Sequence, residues 1–534
     1  MAGTLVARDL SRSHGGTAVL DGVSLVVAPG SRIGVVGPNG IGKTTLLRTL
    51  AALEPPDGGT LTRAPAGLSV GYLPQEQDAR PDETLLAYLT RRTGVAEAES
   101  ELDRRAAELP DGIAEHAEAL ERFLVAGGAD LEARAQTVCA ELGLPADRLG
   151  VRVGDLSGGQ RARAALAAIL LARVDVLLLD EPTNDLDFAG LDRLERFLDR
   201  FEGGAVVVSH DRAFLERTID TVIELEAETR RVREYGGGFA LFEELRALAR
   251  VHERTAFEEY VDRRSSLQGQ AQQQREWARV GVVKAKKGKT DNAKVRWNAA
   301  AQRAESRGAD AAKLDRKLER LERVDKPWEP WQLQLEIAPA KRSGEVVARL
   351  EAAVVERGSF RLGPIDLELG WGDRLAVVGP NGSGKTTLIG ALLGTIPLAA
   401  GRRYVGPGVE LGYLEQERLR FGGETSLAEQ FAGESGLKQG EARTLLAKYG
   451  LGAEHVLRPG GSLSPGERTR ASIALFSALG VNALVLDEPT NHRDLPAIEE
   501  LEQALLGYPG TVLLVTHDRR FLESFRQTAI LELT

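Results

Sequence analysis

Long apolar runs are missing from this sequence. The longest strictly apolar stretch, Ala164 to Ala172, has nine residues, about half of the ~18 that a bilayer-spanning helix needs. A channel built into this chain is therefore not expected. Cysteine is nearly absent too. Cys139 stands alone, so no internal disulfide can form, and the usage fits a reducing cytosol. The start, Met1-Ala2-Gly3-Thr4-Leu5, lacks a basic, apolar, cleavable pattern, and we expect no export signal. Nor is there an excess of positive charge. Lys and Arg number 68 against 78 Asp and Glu, a net charge of −10, so no nucleic-acid partner follows from the total. At 534 residues the chain suggests three or four units, and an apolar fraction of 43% is enough for ordinary cores.

What is present is a repeat. Gly37-Pro38-Asn39-Gly40-Ile41-Gly42-Lys43-Thr44-Thr45 returns 342 positions later as Gly379-Pro380-Asn381-Gly382-Ser383-Gly384-Lys385-Thr386-Thr387. Both fit G-x-x-x-x-G-K-[ST], the phosphate-binding loop. Ser157 and Ser464, Asp180 and Asp487, and His210 and His517 are each 307 apart. Gln75 and Gln416 are 341 apart, so the length difference falls after the glutamine. From glutamine to serine the first copy has 82 positions and the second 48, which leaves a 34-residue insertion in the first. We place it within 79–146, where apolar residues recur at helical spacing among Glu and Arg.

Each phosphate loop follows an apolar strand pattern and opens a helix, the context that makes the pattern specific. Its glycines let backbone N–H groups close on phosphates, and the helix N-terminus adds positive potential. Lys43 and Lys385 reach the terminal phosphates, while Thr44 and Thr386 offer hydroxyls to Mg²⁺. The runs Val176–Asp180 and Ala483–Asp487 read as buried strands ending in carboxylates. Asp180 and Asp487 would face Mg²⁺. Glu181 and Glu488, one position on, are placed to polarise an attacking water. Acidic strand ends facing solvent are the plainer alternative. His210 and His517 also close apolar strands. Such histidines are often structural, but beside these motifs they fit a γ-phosphate sensor.

Two segments, Leu156-Ser157-Gly158-Gly159-Gln160 and Leu463-Ser464-Pro465-Gly466-Glu467, read as helix starts. Ser464 as N-cap, Pro465 at the first helical position and Glu467 at the third make a capping box. Freed N–H groups and the serine hydroxyl could hold a γ-phosphate. With ordinary strand order each segment cannot lie beside its own phosphate loop, and so would serve the other copy's ATP.

Between the copies, about Phe239 to Trp331, the chain is charged, Gln-rich and poor in β-branched residues. We read an antiparallel helical hairpin with its tip near Gly281–Lys289. From Arg275 to Arg303 nine Lys and Arg stand against Glu276 and Asp291, a local +7. Trp277 and Trp297 lie ten residues either side of Lys287 and could face each other across the hairpin.

The order of phosphate loop, glutamine, Leu-Ser-Gly-Gly-Gln, Leu-Leu-Leu-Asp-Glu-Pro-Thr-Asn and Ser-His-Asp-Arg resembles an ATP-binding-cassette domain. Two cassettes in one chain, with an insertion in the first and a basic helical linker, resemble the ABC-F family over nearly the whole sequence. The fold expected is α/β: two P-loop cassettes, 1–238 and 341–534, joined by a helical hairpin linker, 239–340. Gln75 and Gln416 would complete the metal shell. The halves of one monomer would close head to tail around two Mg-ATP. Lys43, Asp180, Glu181 and His210 would work with Ser464 and Gly466, and Lys385, Asp487, Glu488 and His517 with Ser157 and Gly159. The resemblance implies ATP hydrolysis and a cytoplasmic protein that binds the ribosomal exit site in the ATP state. The hairpin would reach toward the peptidyl-transferase centre and P-site transfer RNA, with Lys284, Lys286, Lys287, Lys289, Lys294 and Arg296 meeting RNA. The insertion would touch the ribosome's flank, and some relatives protect ribosomes from antibiotics.

Three positions depart from the family pattern. Arg493, in Asn491-His492-Arg493-Asp494, stands where similar proteins carry leucine, which points to asymmetric sites. Pro465 replaces a glycine and removes an N–H. Adenine normally stacks on an aromatic upstream of the phosphate loop; the candidates here are His14 and Phe360, with an ordinary loop histidine and a core phenylalanine as the plainer readings. A resistance factor is favoured over a general translation factor, because the chain ends 17 residues past His517 and a C-terminal nucleic-acid coiled coil is not expected. An ATPase subunit of a separate membrane exporter is the rival, weakened by the cationic tip. A DNA-repair cassette protein would usually carry zinc-binding cysteines or longer coiled coils.

Overall fold

A computed structural model describes residues 3–74, 80–144, 149–156, 158–184, 186–226, 230–286, 293–321, 342–358, 360–415, 420–491 and 493–533, with backbone alone for 278–286 and 293–301 and for a few scattered positions. Two compact units result. One holds Met1–Leu241 with Trp331–Thr534, the other Phe242–Pro330.

The first unit contains two cassettes built to one plan. In the first, the central strands run in the order Val70–Leu73, Val176–Asp180, Gly204–Val208, Arg32–Val36, Thr221–Leu225, Val232–Gly236. All neighbours pair in parallel except the last two strands. In the second, Leu411–Leu414, Ala483–Asp487, Thr511–Val515, Arg374–Val378 and Ala529–Glu532 follow the same order, all parallel. The strands are near-continuous apolar runs because helices cover both faces of a parallel sheet. Gly204–Val208 and Thr511–Val515 are buried at every position.

Register decides where the chemistry lies. Asp180 and Val35 both pair with Val208, and Asp487 and Val377 both pair with Val515. The phosphate loop, the carboxylate pair and the histidine of each copy thus leave one edge of the sheet, the carboxyl end, where ligands of open α/β sheets sit. A three-stranded antiparallel sheet covers each phosphate-loop helix: Thr17–Val27, Thr4–His14 and Gly58–Ala64 in the first copy, Phe360–Gly370, Val346–Arg357 and Ala400–Val405 in the second. Leu46, Leu47 and Leu50 on the helix Lys43–Leu50 are completely buried in the resulting core. Each contributes on the order of 1.5–3 kcal/mol.

The cassettes differ in the stretch after Leu73 and Leu414. After Leu73 the first cassette has helices at Leu85–Arg92, Val95–Ala106, Ile113–Val125 and Leu131–Glu141. The second has Leu427–Ser435, Gln439–Lys448 and the single turn Ala453–Val456 in the matching stretch. The first cassette thus carries more helix in this stretch, with the pair Val95–Ala106 and Ile113–Val125 at its centre.

The second unit is a helical hairpin. Its helices span Gly238–Lys286 and Ala293–Glu319. Arg275 Nη2 meets Asp315 Oδ2 at 2.6 Å, and the Arg307 guanidinium lies 5.3 Å from the Trp277 ring centre. Trp277 therefore has a cationic partner on the opposite helix. The Trp297 side chain, those of Lys284, Lys286, Lys294 and Arg296, and Lys287 and Lys289 altogether, lie outside the described residues. No helix among the described residues is long and apolar enough to cross a membrane.

Candidate nucleotide sites

Each phosphate loop folds around its lysine. Lys43 Nζ donates to the Gly37 and Pro38 carbonyls at 2.8 and 3.1 Å, and Lys385 Nζ to those of Gly379 and Pro380 at 2.9 and 3.0 Å. Both ammonium groups are buried, which lowers their pKa, while Glu181 and Glu488 respectively work against that shift. The loops tolerate little else. A Cβ on Gly379 (φ 155°) would stand 2.3 Å from the Leu533 carbonyl oxygen. A Cβ on Gly384 (φ 98°) would stand 2.8 Å from Phe360 Cζ.

The carboxylates and hydroxyls expected to hold a metal are neighbours. Thr386 Oγ1 donates to Asp487 Oδ2 at 3.1 Å, and Thr44 bonds to Asp180 in the same way. Burial raises the pKa of both aspartates, opposed by these hydroxyls and the lysines. Tyr72 OH and Tyr413 OH approach the same carboxylates at 3.4 and 3.5 Å. A threonine hydroxyl with one carboxylate leaves positions for water and phosphate oxygens, the set that Mg²⁺ prefers. Gln75 and Gln416 lie outside the described residues.

Glu181 and Glu488 sit in left-handed backbone, φ 50° and 45°. Such strain costs about 1–3 kcal/mol and collects at working sites. A hydrogen bond from each N–H to a strand carbonyl, Val208 or Val515, at 2.9 Å holds the geometry. His210 Nε2 lies 3.2 Å from Glu181 Oε1, and His517 Nε2 3.4 Å from Glu488 Oε1. Among the described residues no hydrogen bond is completed at either ring nitrogen of His210 or His517, or at Glu181 Oε2. These buried polar atoms suit a polar guest with its own donors and acceptors. Burial pushes the Glu181 carboxyl up to about 8, against the pull of Lys43. Burial, reinforced by Lys385, holds His517 down to about 3, and His210 is likewise held neutral by burial and Lys43.

The two copies meet in a crossed fashion. Asn39 N–H donates to Asp494 Oδ2 at 3.1 Å, and Asn381 N–H to Asp187 Oδ2 at 3.0 Å. Arg163 Nη2, on the helix Gly158–Leu171 that begins at the first copy's Leu-Ser-Gly-Gly-Gln, donates to the Asn381 carbonyl at 2.8 Å. A Cβ on Gly159 would stand 3.0 Å from Asn381 Cβ. The first signature helix therefore abuts the second phosphate loop. The approach on the other side is looser, since a Cβ on Gly466 would meet nothing within 4 Å among the described residues. Ser464 caps the helix Pro465–Leu479 with Glu467 in a reciprocal capping box. Ser157 lies outside the described residues. A cavity of about 1260 Å³ is bordered by Glu181 and His210 of the first cassette and by Lys385, Glu488 and His517 of the second.

The adenine candidates prove unequal. His14 and Thr17 are paired across the hairpin turn of the first copy, Arg357 and Phe360 across that of the second. His14 thus corresponds to Arg357, and Phe360 to Thr17. Phe360 lies against the second phosphate loop and borders the cavity, as does Arg357. His14 is half exposed with Glu54 3.8 Å away, and it is Val19 that lies against Gly42 of the first loop.

Asp187, Arg163, Tyr72 and Tyr413 received no role from the sequence. Asp187 was within reach, since it lies 307 positions before Asp494 and caps its helix as Asp494 does. Arg493 is fully buried, where the first copy carries Leu186.

A sequence profile of the ABC transporter family matches residues 20–184 and 362–491. The chain belongs to the ABC-F family. This ABC-F chain is 37% identical to the tylosin resistance ATP-binding protein TlrC of Streptomyces fradiae, over 97% of this chain and 95% of that protein. It is 33% identical to the energy-dependent translational throttle protein EttA of Mycobacterium tuberculosis, over 97% and 89%. It is 30% identical to the probable ATP-binding protein YheS of Escherichia coli, over 97% and 77%. Among solved structures, an RNase-L inhibitor superposes with a TM-score of 0.58 at 20% identity, covering 98% of this ABC-F chain and 87% of that one; this shows the shared tandem-cassette fold.

Proposed function

We propose that this ABC-F protein hydrolyses ATP at two crossed sites and uses the closed state to bind the ribosome and act on translation. The observation that carries the ATPase reading is the pair of contacts Asn39–Asp494 and Asn381–Asp187, which join each phosphate loop to the opposite cassette.

In this reading Lys43 and Lys385 neutralise the terminal phosphates. Asp180 with Thr44, and Asp487 with Thr386, would hold Mg²⁺, with Gln75 and Gln416 completing the set. When bound, the ion would supply neutralisation of phosphate charge. Glu181 and Glu488 orient the attacking water. In the same reading His210 and His517, neutral, donate to a γ-phosphate oxygen. Ser464 and Gly466 close over the first ATP, Ser157 and Gly159 over the second. Phe360 stacks adenine at the second site.

For the biological role, the resistance reading draws on the likeness to the tylosin resistance protein along nearly the whole of both chains. The cationic hairpin residues Lys284, Lys286, Lys287, Lys289, Lys294 and Arg296 contact ribosomal RNA, and a cytoplasmic site of action follows. A general translation role is the second reading, favoured by the likeness to the translational throttle protein. The test is Glu181→Gln with Glu488→Gln. ATP binding should persist while turnover falls at least about 100-fold, as expected on losing a positioned base. Unchanged turnover would refute the assignment.

A further inference from the structure

Two helices outside the expected catalytic set touch the opposite nucleotide site at two points each. The helix Leu495–Gly507 is capped by Asp494, whose Oδ2 accepts from Asn39 of the first phosphate loop. Eight positions on, about 12 Å along the axis, Glu502 is held by Arg212, with Nη1 to Oε2 at 3.2 Å and a second contact from Nη2 to Oε1. Arg212 is the first residue of the helix Arg212–Thr218 and follows His210 by two positions. Asn39 and His210 belong to the same nucleotide site, and one helix of the other cassette holds both loops.

The arrangement recurs with the repeat. The helix Phe188–Arg200 is capped by Asp187, which holds Asn381 of the second phosphate loop. Eight positions on, Glu195 Oε1 accepts from Arg519 Nη1 at 2.6 Å, with Asp192 Oδ1 on Nη2 at 2.6 Å. Arg519 follows His517 by two positions. Arg212 and Arg519 are 307 apart, as are Glu195 and Glu502, so the two ion pairs are related by the internal symmetry. The side chains are largely withdrawn from water: Arg212 and Glu502 are 5% and 11% exposed, Arg519 and Glu195 18% and 13%. A buried bidentate pair is directional and sensitive to loss of either partner, unlike a surface pair.

We propose that these helices are two-point struts. Each fixes the separation between the phosphate loop and the histidine loop of the opposite cassette, through Asp494 and Glu502 on one and Asp187 and Glu195 on the other. Arg212 and Arg519 are positioning residues that act through His210 and His517. Because each strut starts just after its own cassette's carboxylate pair, closing one site sets the geometry of the other. The inference rests on the ATPase reading above and adds a coupling element to it.

The experiment uses the full chain and three variants, Arg212→Glu, Glu502→Arg and both together, plus Arg212→Lys. Binding of a fluorescent ATP analogue and ATP turnover are measured against nucleotide concentration. Unmodified protein should bind cooperatively. Each single reversal should bring the Hill coefficient to about 1 and lower turnover roughly 10-fold, within the ordinary range of coupling between sites. The swapped pair should regain cooperativity and most turnover, and Arg212→Lys should fall between. A merely structural arginine would lower the melting temperature without changing the Hill coefficient. Wild-type cooperativity in folded single variants, or a folded swapped pair no better than the singles, would overturn the proposal. Absence of turnover in the unmodified chain would instead count against the ATPase reading, and binding cooperativity would still decide the struts.

Discussion

Asp187 and Asn381 lie 194 positions apart in sequence and 3.0 Å apart in the fold, joined by a backbone N–H and a carboxylate oxygen. The same carboxylate side chain caps the helix Phe188–Arg200 through the Gly190 N–H at 2.9 Å. Burial works against its ionisation, yet the backbone hydrogen bonds from Asn381 and Gly190 and the nearby His517 keep its pKa below the usual carboxylate value. The cap and the inter-cassette contact therefore depend on one charge.

That dependence gives a first prediction. Asp187→Asn keeps the shape and a capping oxygen but loses the charge. A hydrogen bond to a charged group is worth about 1.5–3 kcal/mol, so turnover should drop on the order of 10-fold with little loss of thermal stability. Steady-state ATPase assays beside a melting curve check this. Asp494→Asn should act likewise through Asn39.

A second prediction concerns adenine. Phe360→Ala should weaken nucleotide binding at the second site by roughly 10-fold, the scale of a lost aromatic stack. His14→Ala should change binding at the first site by less than about 2-fold, because His14 corresponds in the hairpin to Arg357 rather than to Phe360. Equilibrium titration of each variant with a fluorescent nucleotide separates the two.

The buried imidazole of His517 gives a pH dependence. Its folded pKa is lowered to about 3 by burial and Lys385, against about 6.5 in an unfolded chain. The unfolded state therefore binds the extra proton between those values. The contribution of His517 to the stability of the nucleotide-free protein should be full above about pH 6.5 and fall with acidification, by up to about 1.4 kcal/mol per pH unit below that point. Glu181, pushed up to about 8, and Asp518, to about 7, act in the opposite sense. Denaturant unfolding of the unmodified chain and of His517→Gln at pH 7 and pH 5.5 isolates it: the stability difference between the two should shift against the unmodified chain on acidification.

The hairpin carries a fourth prediction. Replacing Lys284, Lys286, Lys287 and Lys289 by alanine should leave ATP turnover without ribosomes nearly unchanged, since the hairpin forms its own compact unit. Ribosome affinity should fall, and its salt dependence should flatten as fewer phosphate contacts release counterions. Affinities measured from low to high salt decide it.

Much of the fold was legible because the motifs carry their own context. The strands before Gly37 and Gly379, and those ending at Asp180 and Asp487, are apolar runs with abrupt polar ends, and parallel order follows from them. Capping at Ser464 was readable from Pro465 and Glu467. The two-point contacts were not. Glu195 and Glu502 look like any surface glutamates on amphipathic helices, and only the packing of one cassette on the other removes them from water. The adenine position was hard to read for another reason: distance along the chain does not report hairpin register, and His14 precedes the turn of its hairpin while Phe360 follows the turn of its own.

The central claim is that crossed ATP sites set a ribosome-bound state. The direct measurement is cosedimentation of the chain carrying Glu181→Gln and Glu488→Gln with ribosomes and, separately, with membrane vesicles, with and without ATP. ATP-dependent pelleting with ribosomes alone is the expected result. Pelleting with vesicles alone, or with ribosomes equally well without ATP, would contradict it.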